Sequence, residues 1–274
     1  LARDELRALA GDPDPRVRAA VASFLGAHGD GSDRARLVTM AGDSATSVKA
    51  AAIAALARSG GRDAALATIG RGALADESLA VRLAGLALLE KADPSAMATL
   101  TAHADPMIAA QAARAVGDRA AAAPVLDRAL AASDVAVRVG AVNLLASALT
   151  KDDARTRATA ALRDPAPAVQ LAAARALAYL GDEATAIAAL ATLASAGDPI
   201  DRAQAAAELA RLGDPRGVAT LTALGGDADP AVRRAVVGAH LGAGAITAAL
   251  WSALADDQAD TRLDAAITIL TLLG

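Results

Sequence analysis

The side chains of this 274-residue chain best suited to acid–base or metal chemistry are His28, His103, His240 and the adjacent carboxylate pairs Asp152-Asp153 and Asp256-Asp257. A hydrolytic triad needs a histidine within hydrogen-bond reach of a nucleophile and of an orienting acid, and a zinc site needs three or four convergent His, Cys or carboxylate donors. The three histidines are far apart in the chain and differ in their local surroundings, and there is no cysteine to complete a metal set or form a disulfide. Both carboxylate pairs stand at turn-like breaks between apolar runs, where capping in solvent is their ordinary use. No glycine-rich phosphate loop follows a strand pattern. The residues predict no catalytic group, no metal and no cofactor, and hence a protein that is not an enzyme.

What the sequence does contain is repetition. An acidic residue, often followed by Pro, precedes a Val-Arg pair and an Ala/Leu-rich run, as in Asp14-Pro15-Arg16-Val17-Arg18 and Asp229-Pro230-Ala231-Val232-Arg233. In register, the Val-like position falls at Val17, Val48, Val81, Ile108, Val137, Val169, Asp201, Val232 and Thr261. The eight steps from 17 to 261 give a mean period of about 30.5 residues, the range of architectures whose units bury their apolar faces by stacking on one another. Counted from the Val-like residue as 0, apolar side chains recur at +4, +7, +8 and +11, one side of a 3.6-residue helix. Asp or Ser caps the helix start, Pro suits the first turn, and Gly29, Gly60, Gly181, Gly213 and Gly244 share offset +12 as C-terminal stops in the left-handed conformation. A shorter, more variable helix precedes each run. Nine two-helix repeats are predicted.

Composition agrees. Ala supplies 83 residues and the only aromatic side chains are Phe24, Tyr179 and Trp251, too few rings for a globular core of this length but enough for thin layers between helices. Lys and Arg number 27 against 31 Asp and Glu, a net charge of −4 that argues against a surface made for nucleic acid. Charges interrupt every apolar run before a membrane-spanning length, so a cytoplasmic protein without membrane insertion is expected. The repeats continue without a compositional break, which predicts one domain over residues 1–274. The apolar final helix, from Ala265 to Leu273, lacks the polar outer face of a terminal repeat, so the chain is expected to be a piece of a longer one or to associate with itself there.

The Asp-Pro-x-Val-Arg starts and the Ala-x-x-Ala-Leu-x-x-Leu-Gly-Asp ending, best kept in Ala173 to Asp182 and, with Glu208 at the second Ala, in Ala205 to Asp214, resemble the HEAT-repeat family, closest to its short bacterial phycobilisome lyase-like type. The resemblance covers essentially the whole chain. It implies an all-α fold, an α-solenoid coiled as a right-handed superhelix. It also implies a ladder between repeats, formed by the cations at +1 (Arg18, Lys49, Arg82, Arg138, Arg202, Arg233, Arg262) with Asp14, Asp105, Asp134, Asp198 and Asp229 as acidic rungs. Ala109, Gln170 and Asp201 depart from the pattern.

In such a stack the offsets +2, +5, +6 and +9 would line the concave surface. There Leu83, Leu86, Val139, Val142 and Leu171 are apolar, Asn143 is polar, and Arg114 and Arg175 are charged. One reading makes these eight residues a groove for an apolar or amphipathic segment of another protein, with the arginines pairing to its acids. The other has close-packed inner helices bury the apolar ones. The leading function is a non-enzymatic protein-binding scaffold. The resemblance also admits an accessory subunit of an enzyme complex such as a bilin lyase or isomerase, although a tetrapyrrole pocket would need lining groups that are scarce here.

Overall fold

The computed structural model describes residues 2–274. Among them there is no strand, and eighteen α-helices fall into nine successive pairs. The pairs are α1 (Ala2–Ala8) with α2 (Pro15–His28), α3 (Arg34–Met40) with α4 (Thr46–Ser59), α5 (Ala64–Ala73) with α6 (Leu79–Ala92), α7 (Ala96–Leu100) with α8 (Pro106–Val116), and α9 (Arg119–Leu130) with α10 (Val135–Ala148). They continue with α11 (Lys151–Ala161) and α12 (Pro167–Tyr179), α13 (Glu183–Ser195) and α14 (Pro199–Arg211), α15 (Pro215–Leu224) and α16 (Pro230–Ala243), and α17 (Ala248–Ser252) and α18 (Ala259–Leu273). Each even-numbered helix carries one Val-like residue, so the nine repeats of the sequence pattern are the nine pairs of the fold.

The chain divides within α9 into two compact units, the first ending at Val125 and the second running Leu126–Gly274. In the first, α2, α4, α6 and α8 pack side by side in order, with α3, α5 and α7 laid against their partners. Its core is built on Leu25, Leu37, Ile53, Leu56, Leu66, Leu88 and Leu89, all buried. In the second, α10, α12, α14, α16 and α18 form the equivalent row, with a core that includes Leu190, Leu209, Leu221 and Val236. Alanine is prominent among the fully buried residues of the second helices, as at Ala52, Ala55, Ala173 and Ala206, and its single methyl lets backbones approach closely without loss of helix propensity.

Five of the nine second helices start with the expected capping, whereas α4, α6, α12 and α18 begin after Ala45, Ser78, Ala166 and Gln258 with no side-chain cap bond. Asp14, Asp105, Asp134, Asp198 and Asp229, three residues before the Val-like position, each accept a backbone N–H from the first turn. The stops follow it in part: Gly181, Gly213 and Gly244 are left-handed, whereas Gly29 and Gly60 have negative φ. At those two the absence of a side chain matters for space instead, since a Cβ would fall 2.2 Å from the Leu25 carbonyl oxygen at Gly29 and 2.6 Å from that of Leu56 at Gly60.

The ladder exists, but its acids are not the capping ones. Arg18 pairs through Nε and Nη2 with Asp43 at 2.8 and 2.9 Å, Lys49 with Asp76 at 2.7 Å, Arg138 with Asp164 at 2.7 and 2.9 Å, and Arg233 with Asp256 at 2.7 and 3.1 Å. Each of these acids lies at offset −5 of the following repeat and accepts, through its other role in the turn, the N–H of the residue at −3. Of the five acids implied by the resemblance only Asp105 is a rung: position −5 of its repeat is His103, and Asp105 takes both the Arg82 guanidinium and the Met107 N–H. The remaining guanidinium nitrogen, Nη1, donates to the carbonyls at −5 and −4 of the arginine's own loop, as Arg18 does to Asp12 and Pro13 and Arg138 to Ala132 and Ser133. Gln170 keeps that loop contact through Nε2 to the Asp164 carbonyl, and the −5 position of the repeat after it is Ala196, so cation and acid are missing together. Arg202 is diverted to the Ala194 carbonyl. These charge-assisted bonds hold the Asp43 and Asp164 carboxyls below the usual carboxylate range, chiefly through the Arg18 and Arg138 side chains.

Candidate interaction surface

The burial pattern shows which offsets of a second helix are available to a partner. At +5 the side chains of Ala22, Ile53, Leu86, Ala113, Val142, Ala174, Ala206 and Val237 are all buried. This offset was expected to be exposed; the packing within each unit buries it instead. Leu86 and Val142 are therefore core residues. Leu171, at +2, is buried as well, and Leu83 and Val139 at the same offset are half-buried. The apolar floor expected from the sequence is thus largely consumed by packing between alanine-rich helices, and the alternative of close-packed inner helices holds at these positions. In the first unit Arg114 donates to Glu90 at 3.0 Å and to Gln111 at 3.2 Å, an internal pairing.

What stays outside is a line of residues at +6 and +10. In the second unit it consists of Asn143 and Ser147 on α10, Arg175 and Tyr179 on α12, and Arg211 on α14. Val142, Asn143, Ala146, Ser147, Arg175, Ala176 and Tyr179 line a hollow of about 350 Å³ between α10 and α12. Tyr179 is 82% exposed, in a chain with only three aromatic residues. On its other side a second hollow is lined by Arg175, Tyr179, Glu183, Glu208 and Arg211. Two of the residues named from the sequence, Asn143 and Arg175, stand in this line, with Val142 at its base. Tyr179, Ser147 and Arg211 were missed because +10 lies just beyond the arc assigned to the exposed face, although an aromatic residue one turn after an arginine was a visible signal.

Glu208 organises the charges here. It occupies a position where the sixth repeat has Ala176, and its side chain is only 8% exposed. Arg175 Nε donates to Glu208 Oε1 and Arg211 Nε to Oε2, both at 2.8 Å. Both arginines remain about half exposed, so their outer nitrogens are free to receive an acidic group in water while the buried carboxylate fixes their position. Replacing both, Arg175→Ala with Arg211→Ala, leaves Glu208 buried and unpaired. A fully buried orphan of this kind costs several kcal/mol; with half-exposed partners already screened by solvent the expected loss is about 2 kcal/mol, read by urea unfolding, and Glu208→Ala added to the pair restores most of it.

A second surface lies on the last two second helices. Leu241, Leu263, Ile267 and Leu270 are exposed, while Val237, expected among them, is buried. Leu241 and Ile267 line a hollow of about 460 Å³ with Ala231, Arg234, Gly238, Asp264 and Thr268, and Arg234 bonds Asp264 at its edge at 2.7 Å. A contiguous patch of large apolar side chains rimmed by an ion pair is the composition of a contact face. No helix of the described residues is long and apolar enough to cross a membrane.

A family model for HEAT repeats matches residues 2–57. Among solved structures, the chain is similar to the YibA protein of Escherichia coli, with 16% identity over 97% of this chain and 91% of that one at a TM-score of 0.41. It is also similar to a chain of the complex of CpcE and CpcF of phycocyanin lyase from Nostoc sp. PCC7120, with 18% identity over 99% and 95% at a TM-score of 0.40. No curated protein matches it.

Proposed function

We propose that this chain, of which residues 2–57 match a family model for HEAT repeats, is a non-enzymatic scaffold that takes a segment of another protein on the second-helix face of its unit Leu126–Gly274. The observation that carries this reading is Tyr179, an aromatic ring standing in solvent between two hollows and flanked by the Arg175–Glu208–Arg211 cluster. Tyr and Arg dominate the energetic centres of protein interfaces, because they offer a large rigid surface and several donors at little entropic cost. The cluster carries one net positive charge, so the segment it suits has a carboxylate for the arginines and an apolar side chain for the floor of Ala146 and Ala176 beside the ring. The Leu241, Leu263, Ile267 and Leu270 patch gives the same scaffold a second contact face in the same unit.

The test places a photo-crosslinking amino acid at position 179 and, as a control, at Thr159, which is exposed on the first helix α11. A discrete protein crosslinked from position 179, absent from Thr159 and lost in the presence of Arg175→Glu, is the expected result. Equal labelling from both positions would discard the Tyr179 face as a binding site. Tyr179→Ala itself is expected to unfold at the same urea midpoint as the unaltered chain, because so exposed a ring contributes little to packing, and to reduce partner affinity by about tenfold or more.

A further inference from the structure

The first helices α13, α15 and α17 lie side by side within the unit Leu126–Gly274. From 184 to 195, from 217 to 224 and from 245 to 255 the chain has no charged residue. The two first helices before them differ: α9 carries Arg119, Asp127 and Arg128, and α11 carries Lys151, Asp152, Asp153, Arg155 and Arg157. Yet the outer side of the three uncharged helices stands in solvent, with Ala184, Ala188 and Thr192 on α13, Val218 and Thr222 on α15, and Trp251 and Leu254 on α17 and the turn after it all exposed. Trp251, the only tryptophan, is 52% exposed. Counted back from the Val-like residue it stands at −10, as do Thr222, Thr159 and Asp127, which are exposed inside the row as well. The charges at the border are spent internally, Arg216 on Asp214 and Arg233 on Asp256, both at 2.7 Å, and Glu183 stands at the first turn of α13. A face kept clear of charge across three helices loses little when water leaves it, and depletion of charge is the mark of the core of an interface.

The face is graded in size. Its α13 side presents only Ala184, Ala188 and Thr192, whereas its α17 side presents Trp251 and Leu254. A two-fold axis running along α15 sets the large side chains of one copy over the shallow alanine side of another, and α15 upon α15 at Thr222. Such an isologous contact places a patch against itself, which like charges oppose and a charge-free patch permits. Helices about 15 Å long and about 10 Å apart give a face of about 450–500 Å² per copy, or about 1,000 Å² for a pair, the lower end of what a specific and reversible dimer buries.

We propose that the outer face of α13, α15 and α17 is a homodimer interface, in which Trp251 and Leu254 of each copy cover Ala184 and Ala188 of the other and the two α15 helices meet at Thr222. The contact joins identical faces, so it closes at two copies and does not propagate. It uses first helices only, and it stands or falls independently of the Tyr179 scaffold reading.

Sedimentation velocity over a concentration series tests it, with the emission of the lone Trp251 read on the same samples. The mass is expected to rise from 27.0 kDa toward twice that value and no further, and the emission to move to shorter wavelength in step as the indole leaves water. Thr222→Glu and Thr222→Lys each set like charges face to face, and each alone is expected to weaken association by more than about tenfold. Mixed in equal amounts they are expected to recover it, because every mixed pair sets Glu against Lys. Both substitutions fall on an exposed position of a helix and suit helical backbone, so circular dichroism is expected to be unchanged. Should either lose helix, Ala188→Glu, exposed on α13, takes its place as the weakening variant, with the same expected loss. Thr159→Glu on α11 and Tyr179→Ala leave association as it is. A chain that stays monomeric, growth beyond two copies, charged variants that associate like the unaltered chain, or a mixture that fails to recover would each overturn the proposal. So would a Trp251 shift on phosphatidylcholine vesicles from a protein that remains monomeric, which would give this face to a lipid surface instead.

Discussion

Gly217→Ala is expected to destabilise the second unit by about 2–4 kcal/mol, while Gly238→Ala, the same substitution one helix later, stabilises it by about 0.5–1 kcal/mol. Both glycines lie inside helices, α15 and α16, where alanine is favoured by up to about 1 kcal/mol for backbone reasons alone. They differ in what a methyl group would meet. At Gly217 a Cβ would fall 2.3 Å from the Ala210 nitrogen and 2.4 Å from the Ala206 carbonyl oxygen, both backbone atoms of α14. Backbone cannot rotate away as a side chain can, so α15 has to lift from α14 and give up packing around Leu221 and Leu209, both fully buried. At Gly238 nothing lies within 4 Å. Urea unfolding of the two variants followed by helical circular dichroism decides the matter; a shift of the same sign for both would mean that helix propensity, and not the α14–α15 approach, sets stability here.

The contrast between these two glycines also marks what the sequence made legible. Period, helix pairing and the capping aspartates could be read because each depends on residues within a few positions of one another: Asp229 caps the helix that begins at Pro230, and both are visible in one short stretch. Ladder acids could not be told from capping acids on the same basis. Asp43, Asp76 and Asp164 sit two residues before the N-cap position, in the same turn, and only the reach of a cation from the previous repeat distinguishes the two roles. A helical wheel has one buried side, whereas a second helix inside a row has three: one toward its own first helix and one toward each neighbour. That is why Leu86 and Val142 looked exposed and are buried, and why the accessible line shifted to +6 and +10, where Asn143, Arg175 and Tyr179 stand. The Arg175–Glu208–Arg211 cluster was legible only as an anomaly, a glutamate where the motif has alanine. Its meaning depends on an arginine 33 positions earlier in the chain.

Stability is expected to fall as pH drops below 6.5 because of a single group, His240. It is fully buried on α16, with Nδ1 2.7 Å from the Val236 carbonyl and Nε2 2.6 Å from the Thr247 hydroxyl. A carbonyl only accepts, so Nδ1 carries the proton and donates it to Val236, and Nε2 of the neutral ring accepts from Thr247. Burial among Val236, Val237 and Leu250 disfavours the imidazolium and lowers the pKa below its ordinary 6.5, the Val236 hydrogen bond opposing this only in part. The sign follows. Above pH 6.5 the ring is neutral in both folded and unfolded chains and contributes no slope. Below it the unfolded chain binds a proton that the folded chain refuses, and stability declines by up to about 1.4 kcal/mol per pH unit until the folded ring is protonated too. The carboxylates act later and in a separate window. Asp14, Asp30 and Asp214 are lowered to about 2, chiefly by hydrogen bonds from Arg16, Ser32 and Arg216 respectively, so what they contribute is intact above 3.8 and disappears as pH falls through about 2. His240→Gln can still donate to Val236 and accept from Thr247 but does not titrate. It is expected to be less stable than the unaltered chain at pH 7.5, by about 1–2 kcal/mol for imperfect packing and hydrogen bonding, and to close that gap as pH approaches 5. Parallel urea-unfolding curves for the two proteins from pH 7.5 to 5 would remove His240 as the origin of the acid sensitivity.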